Sequence, residues 1–347
     1  MTIIYLYTEI MPYVTTVFSQ FSKLGHTVYA FYKDKARQTP FEAPPLKNVK
    51  YLRESEYSNE SLLQFAISVQ PDILLVAGWT SKKYLNTARY FKKQGQIPVV
   101  CPIDSQFLGT VKQRIGFILS PLLIKPYFSH IWVPGVRQYD FARRMGFDHQ
   151  HIILNSLTAD TNLFLSSKID EAKGKIYPKR LLFVGRYNEV KGLDLLLKAW
   201  AAIKDKKGWK ITLAGNGPMK DFLLSQPDVE VLDFMSQDQL KELAEHSGVF
   251  VLPSKYEPWA LVLQEFAAAG LPILCSDTCG ASPYCVINGY NGFTFKSGDV
   301  NDLVSKLEIL INLSSSELLV YSHRSRKMSG FVTPEISAAS LLGVLAK

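Results

Sequence analysis

Paired metal ligands are the first thing this chain lacks. Its 347 residues include only four cysteines, Cys101, Cys275, Cys279 and Cys285, and neither these nor the six histidines fall at a recurrent ligand spacing. No Asp-x-Asp occurs anywhere, so no catalytic divalent metal is implied. Cys101 and Cys275 lie at or beside apolar runs, and the economical reading is a reduced cytoplasmic protein. The first strand-like run, Ile3 to Tyr7, is not followed by Gly-x-Gly-x-x-Gly, which argues against a dinucleotide site there. Uncharged apolar runs are short: the best, Ile115 to Ile124, reaches half of the ~20 residues that span a bilayer. The start carries no basic leader and meets Glu9 early, so it reads as a strand and not as a signal peptide.

What is present is an ordinary globular composition, 47% hydrophobic and 20% charged, with length enough for two domains. The net charge of +8 is unevenly placed. Residues 1–155 hold 18 Lys and Arg against 10 Asp and Glu, and the remainder is balanced at 21 against 21. A basic first half favours an anionic surface or acceptor. Within it, residues 111–128 mix bulky apolar side chains with Lys112, Arg114 and Lys125. Two readings fit that segment: a helix resting on an anionic membrane surface, or a core helix with solvated basic ends. The basic pI, near 9.1, is not accompanied by a zinc, helix-turn-helix or aromatic RNA-binding motif, so no nucleic acid is expected.

Strand-like and helix-like segments alternate throughout. Strands are predicted at Ile3 to Tyr7, Thr27 to Tyr32, Ile73 to Val76, Val99 to Pro102 and His130 to Val133, with helices such as Tyr13 to Leu24 and Leu62 to Val69 between them. Ser166 to Lys179, polar and ending near Pro178, reads as a linker. The pattern restarts at Arg180 to Val184 and continues with Lys210 to Ala214, Val229 to Leu232, Val249 to Leu252 and Ile273 to Cys275. Helical patterns close the chain at Glu317 to Ser329 and Pro334 to Leu345. The alternation predicts an α/β fold with two domains, 1–165 and 178–330, each a parallel sheet covered by helices.

Two motifs carry the chemistry. In Pro253-Ser-Lys-Tyr-Glu257-Pro-Trp-Ala-Leu-Val-Leu-Gln-Glu265, two carboxylates stand eight residues apart where a buried strand turns into a helix predicted from Trp259 to Ala269. If the residues between them were helical the pair would span ~12 Å, about the length from the sugar to the ribose of a nucleotide-sugar. Trp259, Ala260 and Leu261 would then present first-turn amides to a phosphate. Alone, such glutamates read as helix caps or dipole partners. The second motif, Gly185-Arg-Tyr-Asn-Glu-Val-Lys191-Gly192, places the planar fork of Arg186 and the point charge of Lys191 beyond a strand.

Together these motifs resemble the nucleotide-sugar-dependent glycosyltransferases of family 4, retaining enzymes of the GT-B fold. That fold implies two Rossmann-like domains with parallel sheets facing a central cleft and a final segment, 331–347, returning to the first domain. The resemblance is specific over roughly residues 178–312 and weak before them. It implies that Arg186 and Lys191 hold the donor diphosphate, Glu265 the ribose, and Glu257 the donor sugar. The turn at Gly215, the loop at Met235 with Ser236 as a helix cap, and Gly280 line the nucleotide in the family. Ala260 stands where the family has Gly, read as one added methyl beside the diphosphate. Tyr284 takes the place of a family Glu, whose role is not carried over.

In the first domain, Asp104 lies where many members have a His near the anomeric centre, and is expected to contact the donor sugar or the acceptor hydroxyl. Glu9, beyond the first strand, is a weaker acceptor candidate. The implied function is transfer of a sugar from a UDP- or GDP-sugar to a hydroxyl of a glycan or lipid-linked acceptor, as in bacterial surface polysaccharide or glycolipid synthesis. No cofactor or metal is implied, and the location expected is cytoplasmic or peripheral on the inner membrane. Two alternatives remain open: a GT-B nucleotide-sugar epimerase, and a non-catalytic sugar-nucleotide or glycan-binding protein.

Overall fold

A computed structural model describes residues 1–33, 41–165 and 173–346. The chain forms two compact units, Met1–Thr158 with Val332–Lys347, and Ala159–Phe331. Strands of the first unit are β1 (Thr2–Leu6), β2 (Thr27–Tyr32), β3 (Val49–Arg53), β4 (Ile73–Val76), β5 (Val99–Pro102), β6 (His130–Trp132) and β7 (Ile152–Ile153). They form one sheet in the order β3-β2-β1-β4-β5-β6-β7, with every pairing parallel. β4, Ile-Leu-Leu-Val, is buried throughout, as expected of a central strand covered on both faces.

The helices that follow these strands are α1 (Pro12–Lys23), α2 (Asn59–Ser68), α3 (Lys82–Gln94), α4 (Val111–Leu123) and α5 (Val136–Arg144). Pro12 opens α1, where its missing N–H costs nothing. The helix buries Val14, Val17, Phe18 and Phe21, with the Phe18 ring edge-on to Tyr5 at 4.7 Å. α4 is different. Its single buried residue is Ser120, while Val111, Ile115, Ile118, Leu122 and Leu123 are exposed, Ile118 by 76% and Leu122 by 74%. The core-helix reading of residues 111–128 therefore fails over the helix itself. Of the helix only Phe117 packs against the core, its ring 5.0 Å from that of Phe141, and Ile124 and Phe128, beyond it, enter the core.

The second unit contains α6 (Thr161–Phe164), β8 (Arg180–Val184), α7 (Leu193–Ala202), β9 (Lys210–Ala214), α8 (Lys220–Leu224), β10 (Val229–Leu232), α9 (Gln237–Glu245), β11 (Val249–Leu252), α10 (Leu261–Ala268), β12 (Ile273–Ser276), α11 (Ser282–Cys285), β13 (Gly292–Phe295), α12 (Val300–Asn312) and α13 (Ser315–Ser329). Its sheet runs β10-β9-β8-β11-β12-β13, again wholly parallel. Both sheets are doubly wound, so each has a switch point where the order reverses, between β1 and β4 and between β8 and β11. The predicted linker falls partly outside the described residues, at 166–172. Its described remainder is no solvated spacer, because Lys173 is 1% exposed with its ammonium on the Gly270 carbonyl at 3.2 Å, and Tyr177 donates to the Gly248 carbonyl at 2.8 Å.

The last helix, α14 (Pro334–Leu342), is capped by Thr333 and buries Ala338 and Leu341 in the same cluster as Ile3, Tyr5 and Phe18. Within Ser315–Leu345 one window reaches a mean hydropathy of 1.3, which suits a membrane span by composition. The fold divides that stretch into α13 and α14, with Gly330 ending the first and Pro334 opening the second. All four cysteines are buried free thiols.

Candidate active site

At the switch point of the second sheet, β8 and β11 lie side by side, Leu181 beside Val249 and Leu182 beside Phe250. Both sequence motifs leave from their carboxyl ends, where ligands of doubly wound sheets bind. The loop after β8 is shaped by Asn188, whose side chain accepts from the Lys191 amide at 3.2 Å, and by Gly192 at φ 68°. A β-carbon at Gly192 would lie 2.0 Å from the Pro253 carbonyl oxygen, so only glycine allows this loop to rest on the start of the second motif. The Lys255 amide donates back to the Val190 carbonyl at 2.7 Å. Held this way, the Lys191 ammonium pairs with Glu257 Oε2, and Ser254 Oγ lies 3.4 Å from the same oxygen.

A third segment joins them. The Gly280 amide donates to the Glu257 carbonyl at 3.0 Å, and the Ala281 amide to the Trp259 carbonyl at 2.7 Å. Gly215 is a packing residue: its position admits no β-carbon, which would fall 1.9 Å from the Gly185 carbonyl. Buried Tyr187 fastens the same end of the sheet, its hydroxyl donating to the Leu232 carbonyl at 2.7 Å and its amide to the Asn216 carbonyl at 2.8 Å. Met235 is partly buried just before Ser236, which caps α9 in a reciprocal box with Gln239. Arg186 is exposed at the head of its loop.

The start of the helix in the second motif differs from its predicted form. α10 begins at Leu261, because Pro258 lacks a backbone N–H and Ala260 adopts a left-handed conformation, φ 81° and ψ 71°. Trp259 and Ala260 thus precede the helix, and its first-turn amides belong to Leu261 and its successors. The ~12 Å helical span from Glu257 to Glu265 falls with that premise, since Glu257 pairs as a β-bridge with Cys279. Ala260 is more than an added methyl, for it occupies backbone space that suits glycine. Trp259 is buried and packs 5.5 Å from the Tyr284 ring, with its indole N–H making no hydrogen bond.

Glu265, in the second turn of α10, is partly buried. Burial pushes its carboxyl up to about 7, and the nearby charge of Asp160 adds to the rise. Beside it, Gln264 is buried, accepting from the Ala159 amide at 2.8 Å and donating to the Ser329 carbonyl at 3.0 Å. Nothing in sequence spacing singled out Asp160, Gln264 or Ser254. One signal could have found Gln264, a polar residue at a buried helical position.

The first unit has its own concavity beyond β1 and β5, a cavity of about 160 Å³ lined by Tyr7, Tyr13, Pro102, Ile103, Asp104, Ser156 and Leu157. Exposed Asp104 stands at its edge, as the position beyond β5 predicts. Glu9 is half-buried, with Oε1 enclosed and making no hydrogen bond. Both acids act on Tyr13, whose phenol is pushed up to about 12 by burial, then by Asp104 and Glu9. Among the described residues no group of three or more His, Cys, Asp or Glu side chains could hold a metal ion.

Comparison with solved structures identifies the architecture. The sucrose-phosphate synthase of Thermosynechococcus elongatus superposes with a TM-score of 0.78 at 16% identity, covering 99% of this chain and 98% of that one. HepE of Anabaena, solved in complex with UDP and glucose, gives 0.70 at 17% identity, covering 100% and 99%. The fold is that of the GT-B glycosyltransferases.

Sequence comparison is narrower. Residues 167–327, less than half of the chain and within the second unit, match the family "Glycosyl transferases group 1". An uncharacterized glycosyltransferase of Methanocaldococcus jannaschii is 34% identical over 137 residues, 37% of this chain and 35% of that protein. The glycogen synthase of Mycobacterium tuberculosis is 29% identical over 178 residues, 49% of this chain and 43% of that one. The chain thus spans less than half the length of these curated relatives.

Proposed function

We propose that the protein is a retaining glycosyltransferase that moves a sugar from a UDP- or GDP-sugar to a hydroxyl of a glycan or lipid-linked acceptor. The observation that carries this reading is the Lys191–Glu257 ion pair, which joins the two strand-end motifs at the β8/β11 switch point, with Arg186 on the first motif and Glu265 on the second. Neighbours of the same fold solved with UDP and UDP-glucose support a nucleotide-sugar donor.

In this reading Arg186, Lys191 and the first-turn amides of α10 meet the charge that grows on the departing diphosphate. Lys191 already compensates Glu257, so the diphosphate competes with that carboxylate for the ammonium. Glu265 accepts from the ribose hydroxyls, and Glu257 from hydroxyls of the donor sugar. Gly215, Met235 and Gly280 shape the nucleotide's surroundings, and Trp259 and Ala260 set the entry into α10. The acceptor oxygen bonds to the anomeric carbon on the face from which the diphosphate leaves. The carbon–oxygen bond to the diphosphate breaks, and the acceptor's proton passes to a diphosphate oxygen. No side-chain base is required. Asp104 and Glu9 orient the acceptor hydroxyl from the first unit. The absence of Asp-x-Asp from the sequence supports turnover without metal.

Titration of the purified protein with UDP- and GDP-sugars, in EDTA, tests the reading. Binding of one nucleotide class, lost in Glu265→Ala, and an α-configured product from an α-linked donor are expected. No binding of either class would sink the proposal. The acceptor is proposed to be presented at an anionic membrane, with α4 as the contact, because its apolar residues are exposed beside Lys112 and Arg114.

A further inference from the structure

The chain passes between its units twice, from Thr158 to Ala159 and from Phe331 to Val332. Both crossings are tied to one side chain. Gln264 takes the Ala159 amide on its carbonyl oxygen and gives its own N–H to the Ser329 carbonyl, so a single amide grips the chain just after the first crossing and just before the second. On the other side of the crossings, Thr158 Oγ1 donates to the Val332 carbonyl at 3.0 Å, joining the two segments to each other. These three bonds are buried, where an amide that loses a partner has no water to replace it. Gln264 lies on α10, the helix that the second motif opens, and is bonded in sequence to Glu265. Asp160, just after the first crossing, is close enough for its charge to act on Glu265. Phe266, the next residue, packs its ring 5.9 Å from Phe164 of α6, which comes just after that crossing.

We infer that Gln264 is a positioning residue that couples donor occupancy of α10 to the two chain crossings. This rests on the donor site proposed above. A ribose bound at Glu265 changes the charge and hydrogen bonding next to Asp160. The Gln264 amide carries the resulting shift of α10 to both crossings together. Catalytic turnover, which requires the acceptor to meet the donor, then depends on Gln264 although the residue touches neither.

Hydrogen exchange on the full chain, with and without UDP, tests this alongside kinetics. In the unsubstituted protein UDP is expected to protect the second motif and also amides at 159–160 and 329–332. In Gln264→Leu, which fills the same space without polar atoms, protection of the motif persists and protection of both crossings is lost. The ligand-free Ala159 amide should exchange on the order of tenfold faster. UDP affinity should stay within about threefold while kcat falls on the order of tenfold, a split that general loss of stability does not produce. Gln264→Glu, above the pH at which that new carboxyl ionises, keeps the acceptor for Ala159 and loses the donor to Ser329, so it should loosen 329–332 and spare 159–160. Unchanged ligand-free exchange in Gln264→Leu, or equal loosening of both crossings by Gln264→Glu, would overturn the inference. Failure of UDP to protect the motif at all would instead fall on the donor-site reading, and the ligand-free comparison would still decide the clamp.

Discussion

Ala260 holds a conformation that costs a residue with a β-carbon about 1–2 kcal/mol, at the point where the donor motif enters its helix. Ala260→Gly should therefore raise unfolding free energy by about 1 kcal/mol, less the small entropic cost of a freer unfolded chain, as read from the denaturant midpoint. A fall in stability would mean that the methyl group's packing outweighs the backbone strain. Glu265 makes a second demand. Its carboxyl is raised in the folded protein to about 7 from an ordinary value of 4.5. Between those values the folded state keeps a proton that the unfolded state has lost, so stability falls as pH rises from about 4.5 to 7. Glu265→Gln should be more stable than the unsubstituted protein at pH 8 and no different at pH 4. The proposed ribose role of Glu265 gives donor binding the opposite slope, because ribose hydroxyls would need the ionised carboxylate: affinity should rise with pH up to about 7 and then level, a profile that calorimetry at several pH values would show. The identities and spacing of Arg186, Lys191, Glu257 and Glu265 were readable from the sequence, because strand-end motifs are local. The left-handed turn at Ala260 was not, since an alanine gives no hint of positive φ. Burial of Glu9 Oε1 and the Asp160–Glu265 neighbourhood depend on residues distant in sequence.

α4 breaks the rule that a helix hides its apolar stripe. Ile115, Ile118, Leu122 and Leu123 face outward with Lys112 and Arg114 on the same helix, an arrangement suited to an anionic lipid interface. Replacing Ile118 and Leu122 together by Glu should abolish flotation with vesicles containing anionic lipid while changing stability by no more than about 0.5 kcal/mol, since neither side chain is in the core. Unaltered flotation would remove α4 from the contact. Composition leaves two readings of this segment, because an apolar helix with basic ends looks alike in a core and on a membrane; exposure of most of its apolar side chains speaks against the first, and flotation tests the second. Other elements show the limits of periodicity. β3, Val-Lys-Tyr-Leu-Arg, is an edge strand with Lys50 and Arg53 exposed, so its apolar pattern is interrupted. β7 has two residues, and β13 begins at a glycine. The central strands β1, β4, β8, β9 and β11 were found because burial on two faces writes itself as an unbroken apolar run.

The alternation of strand and helix along the chain was enough to predict two parallel α/β sheets, and both have the doubly wound order. It could not assign residues 173–179, whose polar composition hides the buried Lys173 and Tyr177, whereas the two closing helices, α13 and α14, were both legible. The overall charge adds a prediction of its own. With +8 in total and the excess confined to residues 1–155, any attraction to anionic vesicles should be electrostatic at long range. Binding should weaken steeply between about 50 mM and about 500 mM salt, while affinity for UDP, whose proposed site lies within the balanced second half, should change much less. Vesicle binding indifferent to salt would indicate apolar insertion alone.

The contact of Gly192 with the Pro253 carbonyl bears on how this protein could be recombined with its relatives. A chimera spliced between those two residues takes one strand-end loop from each parent and makes them share a surface with no room for a methyl group. Splices placed before Arg180 or after Gly280 move the whole assembly as a cassette. On the proposed donor site, donor preference should be transplantable as one block, and single-loop grafts should yield proteins that fold poorly at the site they were meant to alter.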